Sequence, residues 1–341
     1  MKIPSRVAVA LVLALVLAGC GTRSVTGNHS RISLGSPAVQ ATSILLDWYP
    51  NSDHAGLYTA IKKGYFSAQH VYPTVRVPSN ATGQIELVAA GRADFAITYE
   101  ADLLAARARG LPVRSVMCLM QHPLNTVMTL RSSGITRPRQ LVGKSVGAAG
   151  SPSDKPIVSV MMRHDGASIG QTRMVDVGYG LLPALLAKKV DAVVGVYWTW
   201  ERIQAELRGY PVNVMRVERW GMPNYCELVL IANNKVIKNA PALVRGVVRA
   251  MQRGYALAEA HPVVGWQALV SGDSTLRKQK SLVTRSEALL RGAVLDAPTI
   301  GYQNPGQWRH YASWLATNKL ISKSVETVTA YTNQFLAPGV T

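Results

Sequence analysis

The sequence predicts an α/β fold of two lobes with a helical C-terminal tail. From residue 43 onward, short β-branched runs alternate with helical patterns, and the alternation starts again near Gly134. Strand, helix, strand order favours parallel sheets that are covered by helices. After Ala232 the pattern becomes mostly helical. A chain of 341 residues, 48% of them hydrophobic, is long enough for two units that each bury a core.

The first alternating set precedes Gly134. β-branched and aromatic runs predict strands at 43–48, 74–77, 95–98 and 113–119. Apolar residues at helical spacing predict helices at 55–63, 84–90 and 101–109.

The second set repeats the same order. Strands are predicted at 145–148, 173–177 and 192–196, and helices at 156–164 and 182–187. A further strand at 228–232 precedes amphipathic helices at 242–260, 281–290 and 307–317.

The N-terminus has the features of a secretory signal. Lys2 and Arg6 precede an apolar run over 7–17, which is too short to cross a bilayer as a helix. The order Leu17-Ala-Gly-Cys20 resembles a bacterial lipobox, and this resemblance implies a signal peptide over 1–19 and lipid on Cys20. A plain secretory signal with a coincidental cysteine is the alternative. Ser, Thr, Gly and Asn dominate the following segment, so 20–41 is predicted to be a flexible tether on the extracytoplasmic side of the membrane.

The chain is strongly basic, with 37 Lys and Arg against 19 acidic residues and a formal charge of +18. The basic residues are scattered, and no zinc-finger spacing or RNA-binding signature is present, so nucleic acid is not expected as a partner. Attraction to anionic lipid head groups is an equally physical explanation of the charge.

Four polar and aromatic segments follow predicted strands, where the ligand clefts of parallel sheets lie. Their candidate ligand-binding residues are Trp48, Tyr49, Asn51 and His54; Tyr99 and Glu100; Ser151, Ser153 and Asp154; and Tyr197, Trp198 and Glu201. Aromatic faces are suited to enclose a flat heteroaromatic ring, while glutamates accept hydrogen bonds from an exocyclic amine. The alternative is that the aromatics fill the core and the acidic residues cap helices.

Several strings also resemble the NMT1/THI5-like substrate-binding proteins of ABC importers. They include Leu46-Asp-Trp-Tyr-Pro-Asn51, Ala89-Ala-Gly-Arg-Ala-Asp-Phe95, Gly150-Ser-Pro-Ser-Asp154 and Trp198-Thr-Trp-Glu201, and the similarity runs in order from 43 to 341. The resemblance implies a type II periplasmic-binding-protein fold, in which 42–130 plus 228–341 form lobe 1 and 131–227 form lobe 2. It also implies an ABC permease as partner and formylaminopyrimidine, a thiamine pyrimidine precursor, as ligand.

The resemblance implies two walls of the cleft. Trp48 and its neighbours line one wall, Tyr197, Trp198 and Glu201 line the other, and Trp48 is expected to face Trp198 across a gap sized for a flat ring. Tyr225 is counted among the ligand-binding residues and stands just before the strand that returns to lobe 1.

A monomeric binding protein without a cofactor, a metal or enzymatic activity is therefore expected. The seven histidines lack metal-binding spacing, and neither a Gly-x-Ser-x-Gly elbow nor a phosphate-binding loop is present. Cys118 and Cys226 are interpreted as inert buried thiols, and their pairing is left open. The alternatives are a receptor for another ring system, such as riboflavin, and a pyridoxal-phosphate-dependent pyrimidine synthase.

Overall fold

A computed structural model describes residues 39–79, 83–294, 297–321 and 325–341. The signal peptide, Cys20 and nearly all of the predicted tether lie outside these residues. The strands are β1 (Gln40–Leu45), β2 (Val71–Arg76), β3 (Phe95–Thr98), β4 (Val113–Met120), β5 (Asn125–Leu130), β6 (Ser145–Ala148), β7 (Arg173–Asp176), β8 (Ala192–Tyr197), β9 (Val212–Arg216) and β10 (Leu228–Asn233). The helices are α1 (Ala55–Lys62), α2 (Gln84–Ala89), α3 (Glu100–Ala108), α4 (Asp154–His164), α5 (Leu181–Leu186), α6 (Glu201–Leu207), α7 (Asn234–Asn239), α8 (Pro241–Ala260), α9 (Pro262–Gly272), α10 (Lys280–Val294) and α11 (Pro305–Thr317).

The strands form two five-stranded sheets with the same pattern of pairing. The first sheet has the order β2-β1-β3-β10-β4 and the second has the order β7-β6-β8-β5-β9. In each sheet the first three strands of this order are parallel to one another. The fourth strand, β10 in the first sheet and β5 in the second, pairs antiparallel with both of its neighbours. The predicted α/β fold with a helical C-terminal region is confirmed.

Two boundaries differ from the prediction. Residues 125–130 were assigned to lobe 1, but β5 pairs with β8 and β9 and therefore lies in the second sheet. The first crossing between sheets consequently runs between Met120 and Asn125, and the return passage runs between Arg216 and Leu228. The first strand begins at Gln40, inside the predicted tether.

Both faces of β3 and β10 in the first sheet are buried, which explains why these strands are almost continuously apolar. Alternate residues of β10 point into different cores: Leu228 and Leu230 join one cluster, and Val229 and Ile231 join the other. Helix α8 packs closely on α1 because both helices carry a glycine at the contact. A Cβ atom on Gly254 would lie 2.1 Å from the backbone oxygen of Gly56.

A disulfide joins Cys118 of β4 to Cys226, with a Cα–Cα distance of 5.9 Å. Both cysteines are buried, as predicted, but they are bonded to each other and are not free thiols, which answers the question of pairing that the sequence left open. The bond ties the first sheet to the segment that returns from the second. Among the described residues, no helix combines the length and apolar character needed to span a bilayer.

Candidate ligand-binding site

A cavity of about 460 Å³, continuous with solvent, lies where elements of the two sheets meet. Residues that follow β1, β3 and β6 reach it, as expected for the carboxyl ends of parallel strands. The lining residues are Trp48, Tyr99, Ala101, Asn125, Ala149, Ser151, Ser153, Asp154, Ile157, Gly195, Tyr197, Tyr225, Glu227 and Tyr311.

Aromatic rings border the cavity from two directions. Trp48 is held edge-to-face by Tyr179, with ring centroids 4.2 Å apart. Tyr225 and Tyr311 stack nearly parallel, with centroids 4.6 Å apart and an interplanar angle of 10°. Rings that are held by other rings present fixed flat surfaces, and these suit a planar ligand.

Glu227 supplies a buried carboxylate to the cavity. Its Oε2 accepts hydrogen bonds from the backbone N–H of Leu124 (2.7 Å), the backbone N–H of Asn125 (3.0 Å) and the hydroxyl of Tyr225 (3.0 Å). Burial raises the pKa of Glu227 to about 7 despite these three donors. Since the three bonds use Oε2, Oε1 is the oxygen available to a ligand.

Asp154 supplies a second carboxylate at the start of α4. Its Oδ2 accepts from the backbone N–H groups of Ala149 (3.1 Å) and Ser151 (2.9 Å). Burial, with the nearby charge of Asp102, raises the pKa of Asp154 to about 7. A bulge in β8 makes room for this side chain: Gly195 has φ +83°, and a Cβ there would lie 3.3 Å from Asp154 Oδ1.

The lining carries two acidic side chains, and no lysine or arginine stands among the described residues that form it. This composition contrasts with the formal charge of +18 on the chain. Asp102 lies behind the lining, where its Oδ2 accepts a 2.9 Å bond from the Ser151 hydroxyl. Burial raises the pKa of Asp102 to about 6. An anionic ligand would be repelled by these two carboxyl groups. A neutral or cationic ligand that carries N–H groups would find hydrogen-bond acceptors in them.

The cavity brings together seven of the thirteen predicted ligand-binding residues. They are Trp48, Tyr99, Ser151, Ser153, Asp154, Tyr197 and Tyr225. The hydroxyl of Tyr99 donates a hydrogen bond to Asp47 Oδ2 over 3.3 Å, and this bond fixes the orientation of the Tyr99 ring.

Three predicted residues of the first segment lie elsewhere. Tyr49 is 52% exposed and lies beside Tyr179. Both residues line a separate groove, called the outer groove, together with Leu182 and Gln204. The side chain of Asn51 caps a short helical turn by accepting from the backbone N–H of Asp53. His54 is fully buried: its Nδ1 accepts from the backbone N–H of Asn51 (3.2 Å), so Nε2 donates to Asp47 Oδ1 (2.9 Å).

Two glutamates that were predicted as ligand-binding residues also lie outside the lining. Glu100 is fully buried, and it accepts from the backbone N–H of Cys226 over 2.7 Å. Glu201 accepts from the backbone N–H of Tyr197 over 2.8 Å and borders the outer groove. Both glutamates therefore hold backbone N–H groups inside the protein, and neither is the helix cap that the alternative proposed.

The expected pairing of Trp48 with Trp198 across the cleft is wrong. The indole N–H of Trp198 donates to the backbone oxygen of Pro123 over 3.3 Å, and the guanidinium of Arg216 covers its ring at 4.2 Å from the ring centroid. Trp198 packs against the core of the first sheet, and it is Tyr179 that contacts Trp48.

Sequence reasoning missed Asn125, Gly195, Glu227 and Tyr311 as lining residues. Asn125 belongs to a strand that was not predicted, and Tyr311 lies on a C-terminal helix far along the chain. Glu227 directly precedes a buried strand, a signal that could have identified it. No group of three or more His, Cys, Asp or Glu side chains is placed to hold a metal ion in the described ranges.

The sheets and the cavity between them define a periplasmic-binding-protein fold. The alkanesulfonate-binding protein of Xanthomonas axonopodis pv. citri, bound to MOPS, superposes with a TM-score of 0.67 at 15% identity, covering 87% of this chain and 99% of that chain. The two proteins therefore share this fold.

The chain belongs to the NMT1/THI5-like family, whose model matches residues 51–264. It is 29% identical to the formylaminopyrimidine-binding protein of Halalkalibacterium halodurans, over 95% of this chain and 97% of that protein. It is 24% identical to the 4-amino-5-hydroxymethyl-2-methylpyrimidine phosphate synthase of Legionella pneumophila, over 86% of this chain and 92% of that protein.

The last comparison corrects one expectation. The sequence was interpreted as that of a protein without enzymatic activity, and this interpretation is contradicted because relatives along most of the chain are named as synthases. The family therefore includes both binding proteins and enzymes.

Proposed function

We propose that this chain captures a small planar nitrogen heterocycle, a thiamine pyrimidine precursor such as formylaminopyrimidine, for an ABC importer. The observation that carries the proposal is the lining of the cavity, which combines fixed aromatic faces with Asp154 and Glu227 and lacks cations among its described residues. The name of the Halalkalibacterium halodurans relative supports the same ligand class.

The chemistry of an aminopyrimidine matches this lining. Its exocyclic amine donates hydrogen bonds, and a carboxyl group accepts them. Its ring nitrogens accept, and a carboxyl with a pKa of about 7, such as that of Asp154, is able to hold a proton to donate to them. Trp48 and the stacked Tyr225 and Tyr311 would cover the faces of the ring.

Anionic ligands fit poorly. A sulfonate or phosphate group is normally held by arginine, lysine or several backbone N–H groups. The backbone N–H groups of Ala149 and Ser151 are already engaged by Asp154. Pyridoxal phosphate, the group that the synthase alternative implied, therefore finds no counter-charge for its phosphate among the described residues of this lining.

Transport requires a location outside the cytoplasm and a membrane partner. The Cys118–Cys226 disulfide supports an oxidising compartment, where such bonds form and persist. Lipid attachment at Cys20, a permease partner and a monomeric state complete the proposal. A ligand that touches residues after β1 and after β6 contacts elements of both sheets, and so is able to shift the protein toward a closed form.

Two tryptophan variants test the proposal by isothermal titration calorimetry with formylaminopyrimidine. Trp48→Ala removes a lining ring, and we expect affinity to fall by about 5- to 150-fold, since stacking a base on an aromatic ring contributes about 1–3 kcal/mol. Trp198→Ala removes an indole of the same size and similar exposure outside the lining, and its affinity should stay within about threefold of the wild type once folding is verified by circular dichroism.

The outcomes separate the alternatives. Loss of affinity in Trp198→Ala but not in Trp48→Ala would place the ligand elsewhere. Riboflavin binding tighter than pyrimidine binding would favour the other ring system. Because relatives are synthases, the same samples should be incubated with pyridoxal phosphate and assayed for pyrimidine phosphate, and turnover would replace the transport proposal.

A further inference from the structure

Helix α8 exposes a row of three arginines. Between Leu243 and Glu259 the exposed side chains of the helix are Arg245, Arg249 and Arg253, while its opposite side is buried in the core of the first sheet. Residues four positions apart lie on one side of a helix, and a rise of about 1.5 Å per residue spreads these three over about 12 Å. The three guanidinium groups therefore form one line of positive charge on the surface.

Two segments around this row add positive charge and contain no acidic residue. Helix α1 packs on α8 and ends with the exposed Lys62, which the exposed Lys63 follows. The segments 55–79 and 228–258 include α1, β2, β10, α7 and nearly all of α8, and neither contains an aspartate or a glutamate. Within the described part of the chain the three arginines of α8 form no ion pair. Together with Lys62 and Lys63 they form what we call the basic face.

The basic face lies close to the point where the predicted tether joins the fold. The backbone N–H of Gln40, at the start of β1, donates to the backbone oxygen of His70, and Gln40 pairs with Val71 of β2. Helix α8 packs on this end of β2, because a Cβ on Gly246 would lie 2.9 Å from Val71 Cγ2. Gly246 directly follows Arg245. A tether that leads into β1 therefore enters the fold beside α8.

We propose that the basic face binds the anionic head groups of the membrane to which the chain is tethered, and so holds α8 against the bilayer surface. Guanidinium groups donate paired hydrogen bonds to phosphate oxygens. The three arginines stand in a row along an exposed helix and do not converge on a pocket, so an extended surface with many phosphates fits them better than one free phosphate does. Each cation near an anionic bilayer strengthens binding by about fivefold.

The predicted tether would keep the basic face within reach of the bilayer. From Cys20 to Val39 the chain spans 19 positions. A flexible chain of that length has an average end-to-end distance of about 25 Å. Attraction to the head groups extends about 8 Å at physiological ionic strength, so it acts on a folded body that is already held nearby. This step rests on the lipid attachment at Cys20 and the location that belong to the proposed function.

The test is co-sedimentation with lipid vesicles of the chain over residues 20–341 that carries Cys20→Ser. Residues 38–341 form a compact unit of their own, so this chain contains the whole folded body. One set of vesicles contains about one third phosphatidylglycerol in phosphatidylcholine, and a second set contains phosphatidylcholine alone. We expect binding to the anionic vesicles at about 0.05 M salt, and binding at least about tenfold weaker at about 0.5 M salt or to the neutral vesicles.

Glutamine variants locate the binding on α8. Arg245→Gln, Arg249→Gln and Arg253→Gln combined should weaken binding to the anionic vesicles at least about tenfold. The guanidinium of Arg253 lies 4.0 Å from the centroid of the Tyr65 ring. A double variant, Arg245→Gln with Arg249→Gln, keeps this contact and should weaken binding at least about fivefold, so the test survives a folding defect in the triple variant.

A matched control removes the same charge elsewhere. Arg131, Lys189 and Arg219 are exposed and lie close in sequence to β5, β8 and β9 of the second sheet. Their combined replacement by glutamine should leave vesicle binding within about threefold of the wild type, because overall charge acts less than cations placed at the surface of the bilayer.

Four results would overturn the proposal. They are no binding of the wild type to anionic vesicles, equal binding to neutral vesicles, equal losses in the control and in the triple variant, and release by millimolar inorganic phosphate at constant ionic strength. The last result would show that the face binds a free anion. Pyrimidine binding is measured without vesicles, and the tested chain carries no lipid, so failure of the proposed function and failure of this inference are distinguishable.

Discussion

Replacing Glu227 with glutamine should weaken pyrimidine binding while leaving the fold intact. The amide oxygen of glutamine is able to accept the same three hydrogen bonds from Leu124, Asn125 and Tyr225 that Oε2 accepts. The NH₂ group would then replace Oε1, and a ligand amine would meet a donor where it had met an acceptor. Because only the ligand-facing atom changes, the variant isolates the role of this carboxyl in recognition.

The size of the effect follows from the charge on the lost acceptor. A hydrogen bond to a charged group contributes about 1.5–3 kcal/mol, and each 1.4 kcal/mol is a tenfold change in affinity. We therefore expect the dissociation constant for formylaminopyrimidine to rise by about 10- to 150-fold at pH 8, where Glu227 with a pKa of about 7 is mostly ionised. At pH 4, where the Glu227 carboxyl is protonated in the folded protein, the free energy of unfolding should change by less than about 1 kcal/mol, since the three internal bonds survive.

Glu201→Gln is the matched control for the calorimetric titration. Glu201 is also a buried glutamate that accepts a backbone N–H, and burial raises its pKa to about 7 as well, but it lies outside the cavity lining. We expect its affinity to match the wild type within about threefold. Equal affinities of wild type and Glu227→Gln, or an equal loss in both variants, would refute the reasoning.

Three further predictions concern stability, measured by urea unfolding of the ligand-free protein. Replacing Cys118 and Cys226 together with serine should lower the free energy of unfolding by about 2–5 kcal/mol, since the disulfide closes a loop spanning 108 positions; no loss would show that the bond does not form. Gly254→Ala should cost about 1–3 kcal/mol because its Cβ would meet a helix backbone 2.1 Å away, whereas Gly292→Ala, with nothing within 4 Å, should be neutral or stabilising. Because the pKa of Glu227 is raised in the folded state, the folded protein keeps a proton that the unfolded chain releases above about pH 4.3. The free energy of unfolding should therefore fall as the pH rises toward 7. Glu227→Gln removes this titrating group, so its free energy of unfolding should fall less steeply over the same range.

Much of the fold was predictable because the central strands of both sheets are buried on two faces. The runs at 95–98 and 145–148 agree with β3 and β6 to the residue. Strands β5 and β9 were missed because polar residues such as Asn125 and Asn213 interrupt their apolar pattern. Missing β5 also displaced the first boundary between lobes, since only pairing with β8 and β9 shows where that strand belongs.

The candidate site was less predictable than the fold. Position after a parallel strand places Trp48, Tyr99 and Asp154 at one edge of a sheet, and all three line the cavity. The same rule does not say which way a side chain turns, so Trp198 was expected in the cleft although it packs under Arg216. Tyr311 was beyond reach, since a distant helix brings it to the cavity through tertiary packing alone.

The most direct test compares two ligands of opposite chemistry on the wild-type protein at pH 8. We predict that calorimetry shows saturable binding of one formylaminopyrimidine per chain and no binding of ethanesulfonate, because Asp154 and Glu227 face the cavity and the described lining holds no cation. Ethanesulfonate binding as tightly as the pyrimidine, or a pyrimidine that does not bind, would contradict the assignment of this cavity to a hydrogen-bond-donating heterocycle.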